Sequence, residues 1–415
     1  LANNVILTPQ VFTRLVLMNL GGYLAVCKNM TKQYSKEFAK AGAKVGDTVS
    51  VRKPQRFQAT RGLLYQPQAL TNIKTTITVN DVTGVHFEWD SVEKTLSIDE
   101  IQESYAKPAA IALAHDVNSR AAQFCAQNTF NCVGTPGAPP TLIDTYLSAG
   151  DKIVQLGLPP EEDLSMIINR KMSSNFVIGQ KQLYNPAGSL GRAYDKGEVD
   201  GSPLGYKWHR DQTIYVQTIG AQGGTPLIKG SGQTTANGNN DTMNLVTKGW
   251  TASQASILGP GDRFTIAGIY SVHPQTRQST GDLQQFVVLA NAASDGSGFS
   301  TITVAPGITP SGQYQNVTAT PNDGIAITVL GAAGTASPQA LLMHKDAYAF
   351  VSIPLEDPKS GKGVEDAYQE TDTETGLVLS FVRFFDGTNR VHGNRFDMLD
   401  GFGVLYRELA CVVAG

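Results

Sequence analysis

The chain closes on Arg395-Phe396-Asp397-Met398-Leu399-Asp400-Gly401-Phe402-Gly403-Val404-Leu405-Tyr406-Arg407-Glu408-Leu409-Ala410-Cys411. The stretch reads as an R-x-D-x-L-x-G run followed by apolar segments at Val404-Leu405-Tyr406-Arg407 and Ala410-Cys411-Val412-Val413. Upstream, Leu377 through Phe385 returns to strand-like alternation, and a turn around Asp386-Gly387-Thr388-Asn389 leads into Val391 through Met398. A terminal strand pair is predicted. Core-forming residues at the very end predict a terminus tied into the structure.

Working back from there, Ala340 through Phe350 has a helix-like pattern, and the acidic stretch from Asp357 to Glu374 fits an exposed connection or, less well, a metal loop. Between Gly220 and Pro338 charge is sparse while Gly, Thr, Ser and Asn abound. Short β-like runs recur at Phe264–Ile266, Gln285–Leu289, Thr301–Val304 and Ile325–Val329. They are punctuated by Gly261-Asp262, Asp295-Gly296, Pro306-Gly307 and Asn322-Asp323-Gly324. That punctuation predicts a small barrel or sandwich, following or inserted into an α/β lobe. Residues 221–240 read as a flexible link or loop, and 184–206 as exposed loops.

Further upstream, Leu164-Ser165-Met166-Ile167-Ile168 reads as a buried strand, and Thr141 as the cap of a helix running through Ile153. Trp208-His209-Arg210 fits a loop anchor better than a ligand patch. From Ile98 to about Thr129 apolar residues recur at three- and four-residue steps. Ser97 and Glu100 fit a capping box, and Pro108 either breaks the helix or starts a second one. Residues 47–53 and 73–79 alternate with period two around a polar segment holding Pro54, Arg56, Arg61, Gly62 and Pro67. They predict a long two-stranded ribbon, marginal by itself and in need of a partner surface. Lys28, Lys32, Lys36 and Lys40 fall on one helical stripe, either solvated or docked on acidic surface of another subunit.

Composition narrows the function. A chain of 415 residues allows about three domains, or one large lobe with insertions. With 41% hydrophobic and 17% charged residues, bulk disorder is excluded. A formal charge of -3 argues against a dedicated nucleic-acid clamp, while leaving loose contact at one face open. Cys27, Cys125, Cys132 and Cys411 show no metal or disulfide spacing and read as buried thiols. No run approaches the ~18 apolar residues of a membrane span, and no signal peptide is evident. No P-loop, HExxH, GxSxG or calcium-loop motif occurs, and the six histidines do not cluster. His115-Asp116 and Glu161-Glu162-Asp163 fit surface or packed positions better than catalytic or metal sites. No catalytic, cofactor-binding or metal site is expected.

The order arm, ribbon, long helix, α/β lobe, β-rich insertion and terminal strand pair resembles the major capsid proteins of tailed bacteriophages, closest to the P22-like coat protein group. The closing stretch resembles that family's R-x-D-x-L-x-G run and its R-x-E-L-A-C-like ending, here shortened to Arg407-Glu408-Leu409-Ala410-Cys411. Gly261-Asp262-Arg263-Phe264-Thr265-Ile266-Ala267-Gly268-Ile269 is similar to a stretch of the group's insertion domain.

The resemblance implies an α+β chain with the HK97-like capsid fold and an inserted β-rich, barrel-like domain. It implies an N-terminal arm (1–45), an extended loop (46–84), a peripheral domain with a spine helix (85–135), and a first axial part (136–219). The insertion (220–338), a second axial part (339–376) and a return to peripheral and core strands (377–415) follow. The implied function is a coat protein assembling into an icosahedral shell around packaged double-stranded DNA. Its partners would be further copies in hexamers and pentamers, a portal protein, a scaffolding protein and a decoration protein, with no membrane and no cofactor. The place of work would be the virion capsid, assembled in the host bacterial cytoplasm. Lys74 offers a crosslinking lysine, but no surrounding pattern supports crosslinking. Arg56, Arg61, Arg383 and Arg395 are the expected intersubunit contacts. Asp262 and Asp282 are turn acids or contacts. The alternative is a receptor- or carbohydrate-binding virion protein that displays its site on the β-rich segment.

Overall fold

The computed structural model describes residues 9–20, 24–33, 48–57, 59, 62–63, 65, 67–68, 70, 73–90, 107–159, 162–179, 203–235, 241–355, 364–372, 376–386 and 391–415. Helices are α1 (Pro9–Leu20), α2 (Ala25–Lys28), α3 (Lys107–Asn128), α4 (Ile143–Gln155) and α5 (Arg170–Gly179). Strands begin with β1 (Thr48–Arg52), β2 (Lys74–Thr78), β3 (Asp81–Asp90), β4 (Cys132–Gly134), β5 (Leu164–Ile168), β6 (Tyr206–Arg210) and β7 (Val216–Thr218). Then come β8 (Gly224–Ile228), β9 (Met243–Trp250), β10 (Arg263–Val272), β11 (Ser279–Val288), β12 (Ser300–Ala305) and β13 (Ile327–Val329). The last are β14 (Ala336–Met343), β15 (Tyr348–Ile353), β16 (Val364–Thr371), β17 (Val378–Asp386), β18 (Val391–Val404) and β19 (Ala410–Ala414). The chain divides into two compact units, one of residues 1–51, 75–121 and 348–404, the other of 52–74, 122–347 and 405–415.

In the first unit the closing stretch becomes β18, which organises a five-stranded antiparallel sheet. Its residues pair with β3 over 391–400, with β17 over 391–397 and with β15 over 399–404. β16 lies beyond β17. Phe381 and Phe396 pack with ring centroids 4.9 Å apart, and Met398 and Leu399 are buried. Each such side chain contributes roughly 1.5–3 kcal/mol on burial. The glycines have a steric purpose: a Cβ on Gly401 would run into the Thr78 carbonyl, and one on Gly403 into Ile77. α3 buries Ala110, Leu113, Ala114, Val117 and Ala121, the three- and four-residue spacing of one helix face. Pro108 sits in its first turn, where no intrahelical N–H is needed, so the proline starts this helix. The 22 described residues of this helix span about 33 Å. Ser97, Ile98 and Glu100 of the expected start lie outside the described residues.

The second unit contains a sheet in the order β4-β19-β14-β5-β6, with β7 pairing the start of β14. Its core includes Tyr146 and Phe176, which with Trp208 have ring centroids 5.0–5.6 Å apart. Trp208 is a half-buried strand residue packed against that core. α4 turns Tyr146, Ala149 and Ile153 inward, but its N-cap is Leu142 without a side-chain cap, so Thr141 does not cap it. The second sheet of this unit runs β13-β10-β11-β12-β9-β8. Ile228 N–H donates to Ile325 C=O at 2.9 Å and Leu227 bridges Ala326, which nearly closes the sheet into a barrel. Phe264 and Phe286 stack at 5.6 Å inside it.

The barrel is seated on its lobe by buried polar side chains. Arg263, 5% exposed, donates to the carbonyls of Ala126 and Thr129 at the end of α3, at 2.6 and 2.9 Å, and to Gln339 at 2.9 Å. A cation there also complements the helix C-terminus. Gln285 mimics a strand: its Oε1 accepts from Cys132 N–H and its Nε2 donates to Cys132 C=O. Asp262 accepts from Gly220 and Gly259 N–H and from Gln217 Nε2. Burial raises its carboxyl pKa while those donors oppose the rise. It is an internal support, whereas Asp282 is exposed.

Several expectations are corrected. Ala340–Phe350 is not helical: Ala340–Met343 completes β14 and Tyr348–Phe350 opens β15, because an apolar run buried on both faces suits a central strand as well as a helix. Residues 364–371 form β16 instead of a connection, and 224–228 form β8 instead of a flexible link. Val404–Arg407 is not one segment, since β18 stops at Val404. The lysine stripe fails as a single helix, because α2 ends at Lys28 and Thr31 bridges Ala349; Lys36 and Lys40 lie outside the described residues, as do 184–202 and Glu161. All four cysteines are buried and stand outside any disulfide.

Candidate assembly surface

β1 and β2 make the predicted ribbon, and the 53–73 segment between them belongs to the second unit. Lys53 N–H donates to Ile73 C=O at 2.9 Å, closing the ladder at the loop root. Beyond it the large apolar side chains face outward: Phe57 is 64% exposed, Leu63 108%, Tyr65 86% and Leu70 73%. Isolated exposed apolar residues are ordinary, but four on one loop mark a surface that gains by being covered.

At the root, Arg56 Nη2 lies 2.6 Å from Glu408 Oε1 and Lys53 Nζ 2.8 Å from Asp241 Oδ1. Tyr314 Oη donates to Gln55 at 3.0 Å. Arg56, expected as a contact between copies, therefore also has a carboxylate of its own chain. Arg61 lies outside the described residues. In the first unit Arg383 is buried in β17, where Nε donates to Asn394 at 3.2 Å and Asp366 lies 3.7 Å away. Burial lowers its pKa. Arg395, more open, pairs with Asp397 two residues on. Arg383 and Arg395 belong to the first unit and Arg56 to the second.

Sequence reasoning missed the most connected cluster. Arg120 on α3 donates twice to fully buried Asp400 on β18, at 3.0 and 2.9 Å. It also reaches Asp116 at 2.9 Å, Asp81 at 3.3 Å and Thr83. Burial pushes the Asp400 carboxyl up to about 6, against the pull of Arg120. Its signal was present as the second acid of the R-x-D-x-L-x-G stretch, but only the fold supplies the arginine. Asp116 accepts from Arg120 one turn on. Among the described residues no group of three His, Cys, Asp or Glu could hold a metal, and no helix is long and apolar enough to cross a membrane.

A family model described as P22 coat protein, gene protein 5, matches residues 6–412. The chain belongs to this coat protein family. It is a major capsid protein that self-assembles into an icosahedral phage shell, built as an α+β chain with one nearly closed β-sheet. Its fold is similar to a structure from Mycobacterium phage Che8, with 11% identity, 93% of this chain and 89% of that chain covered, and a TM-score of 0.41. It is similar to the capsid structure of Cyanophage P-SCSP1u, with 12% identity, 89% and 83% coverage, and a TM-score of 0.42. Over 26% of this chain it is similar to 95% of the CUS-3 coat protein I-domain, with 31% identity and a TM-score of 0.20. No curated protein sequence matches. Membership rests on the match over residues 6–412 and not on these distant structures.

Proposed function

We propose that the coat subunit works without catalysis or cofactor and that its outlying loop makes the main contacts between copies. The observation that carries this is the row Phe57, Leu63, Tyr65 and Leu70, apolar and exposed beyond an anchored root. Covering four such side chains gives about 6–12 kcal/mol gross at roughly 1.5–3 kcal/mol each, before the cost of fixing two bodies together. A shell repeats that contact around every hexamer and pentamer, so a modest net gain per contact suffices. The domain names implied by the family follow the same reading, with the second unit holding the axial lobe and its barrel. Arg61 and Arg395 remain candidates for contacts between copies, while the burial of Arg383 supports an internal role. Portal, scaffolding and decoration proteins are the partners this role calls for, with double-stranded DNA enclosed and assembly in the host cytoplasm. Near-neutral net charge suits confined rather than specifically bound DNA.

The test is assembly of a Leu63→Asp, Tyr65→Asp double variant, co-expressed with the neighbouring phage genes. The expected result is soluble subunit with wild-type circular dichroism and no shells by electron microscopy. Shells of normal yield and diameter would overturn the reading.

A further inference from the structure

Among the described residues, side chains tie the loop root to its own subunit beyond the last backbone hydrogen bond, Lys53 N–H to Ile73 C=O. β1 ends at Arg52 and β2 starts at Lys74, and two ion pairs hold the described residues just beyond the ladder. Arg56 reaches the C-terminal segment at Glu408, and Lys53 reaches the barrel at Asp241. Lys53 Nζ also lies 5.7 Å from the Tyr406 ring centroid. Beneath them is a cavity of about 80 Å³ lined by Ile73, Phe130, Leu156, Val272, Tyr314 and Tyr406, among others. Apolar packing under the root is therefore incomplete, and the ion pairs carry a correspondingly larger share of its hold.

A second charge sharpens this. Arg277 is fixed by the carbonyls of Gly312 and Gln313, and its pKa is lowered first by burial and then by the charge of Arg56. Glu408 offsets that repulsion. Without its charge, the cation of Arg56 acts on Arg277 with no carboxylate of Glu408 to offset it.

Resting on the reading of the loop as the assembly surface, we infer that Arg56–Glu408 and Lys53–Asp241 form a latch that aims the apolar tip. Arg56 is a positioning residue that acts through its own subunit and not a contact to a neighbouring copy. The latch sets how often the tip is presented in the orientation that assembles, so weakening it slows assembly while the rest of the fold persists.

The test uses unassembled full-length subunit and chymotrypsin, which cuts beside the exposed aromatic residues of the tip. Glu408→Gln keeps the shape and removes the charge. It is expected to raise loop cleavage roughly fivefold, the equivalent of about 1 kcal/mol for a partly buried pair, and to slow shell formation with partner proteins. The charge swap Arg56→Glu with Glu408→Arg is expected to restore both protection and assembly. Wild-type cleavage in Glu408→Gln overturns the latch, as does raised cleavage with assembly at the wild-type rate. A swap that restores assembly without protecting the unassembled loop makes the pair intersubunit and also overturns it. Failure of the underlying reading shows separately, as normal assembly of the tip double variant.

Discussion

Replacing Asp400 by Asn tests whether the buried carboxylate beside Arg120 makes the coat subunit sensitive to pH. An unfolded aspartate titrates near about 3.9. In the folded chain burial raises Asp400 to about 6, with Asp81 and Asp116 adding to the rise and Arg120 opposing it. The folded state therefore holds this proton more tightly than the unfolded state. Its stabilising contribution is complete below about pH 4 and is lost as pH rises through about 6. Two pH units at 1.36 kcal/mol each give roughly 3 kcal/mol. Asn keeps the shape and an acceptor for Arg120, which retains Asp116 and Asp81, so no cation is left stranded. Urea unfolding followed by circular dichroism at pH steps from 4 to 8 is the assay. Wild type minus variant stability is expected to fall by about 3 kcal/mol over the lower half of that range and to flatten above it. A flat difference would falsify the reasoning. A difference rising with pH would mean that the ion pair outweighs burial, and would refute it equally.

Two other substitutions test how the fold is held. Arg263→Met removes the cation between barrel and lobe and strands the carbonyls of Ala126 and Thr129; a loss of about 3–5 kcal/mol is expected in urea unfolding, and less than about 1 kcal/mol contradicts the seating role. Gly401→Ala drives a Cβ into the Thr78 carbonyl and should cost about 1–3 kcal/mol, seen as a lower thermal midpoint; an unchanged midpoint would mean that β2 yields there.

The sequence by itself determined what depends on neighbours along the chain. Period-two alternation located β1, β2 and β17, turn residues at Asp295-Gly296 separated β11 from β12, and three- and four-residue spacing located α3, because these patterns are set by backbone geometry. The closing R-x-D-x-L-x-G stretch was legible as a family signature, but not as a mechanism. Tertiary structure alone decided that Asp400 meets Arg120, 280 residues apart, and that Gly401 makes room for Thr78. It alone turned Ala340–Phe350 into parts of two strands, since burial on both faces erases the period that separates helix from strand. It also gave Arg56 a partner 352 residues away in its own chain. Charge pairing depends on distance in space, and sequence spacing carries no information about that once the chain has folded back on itself.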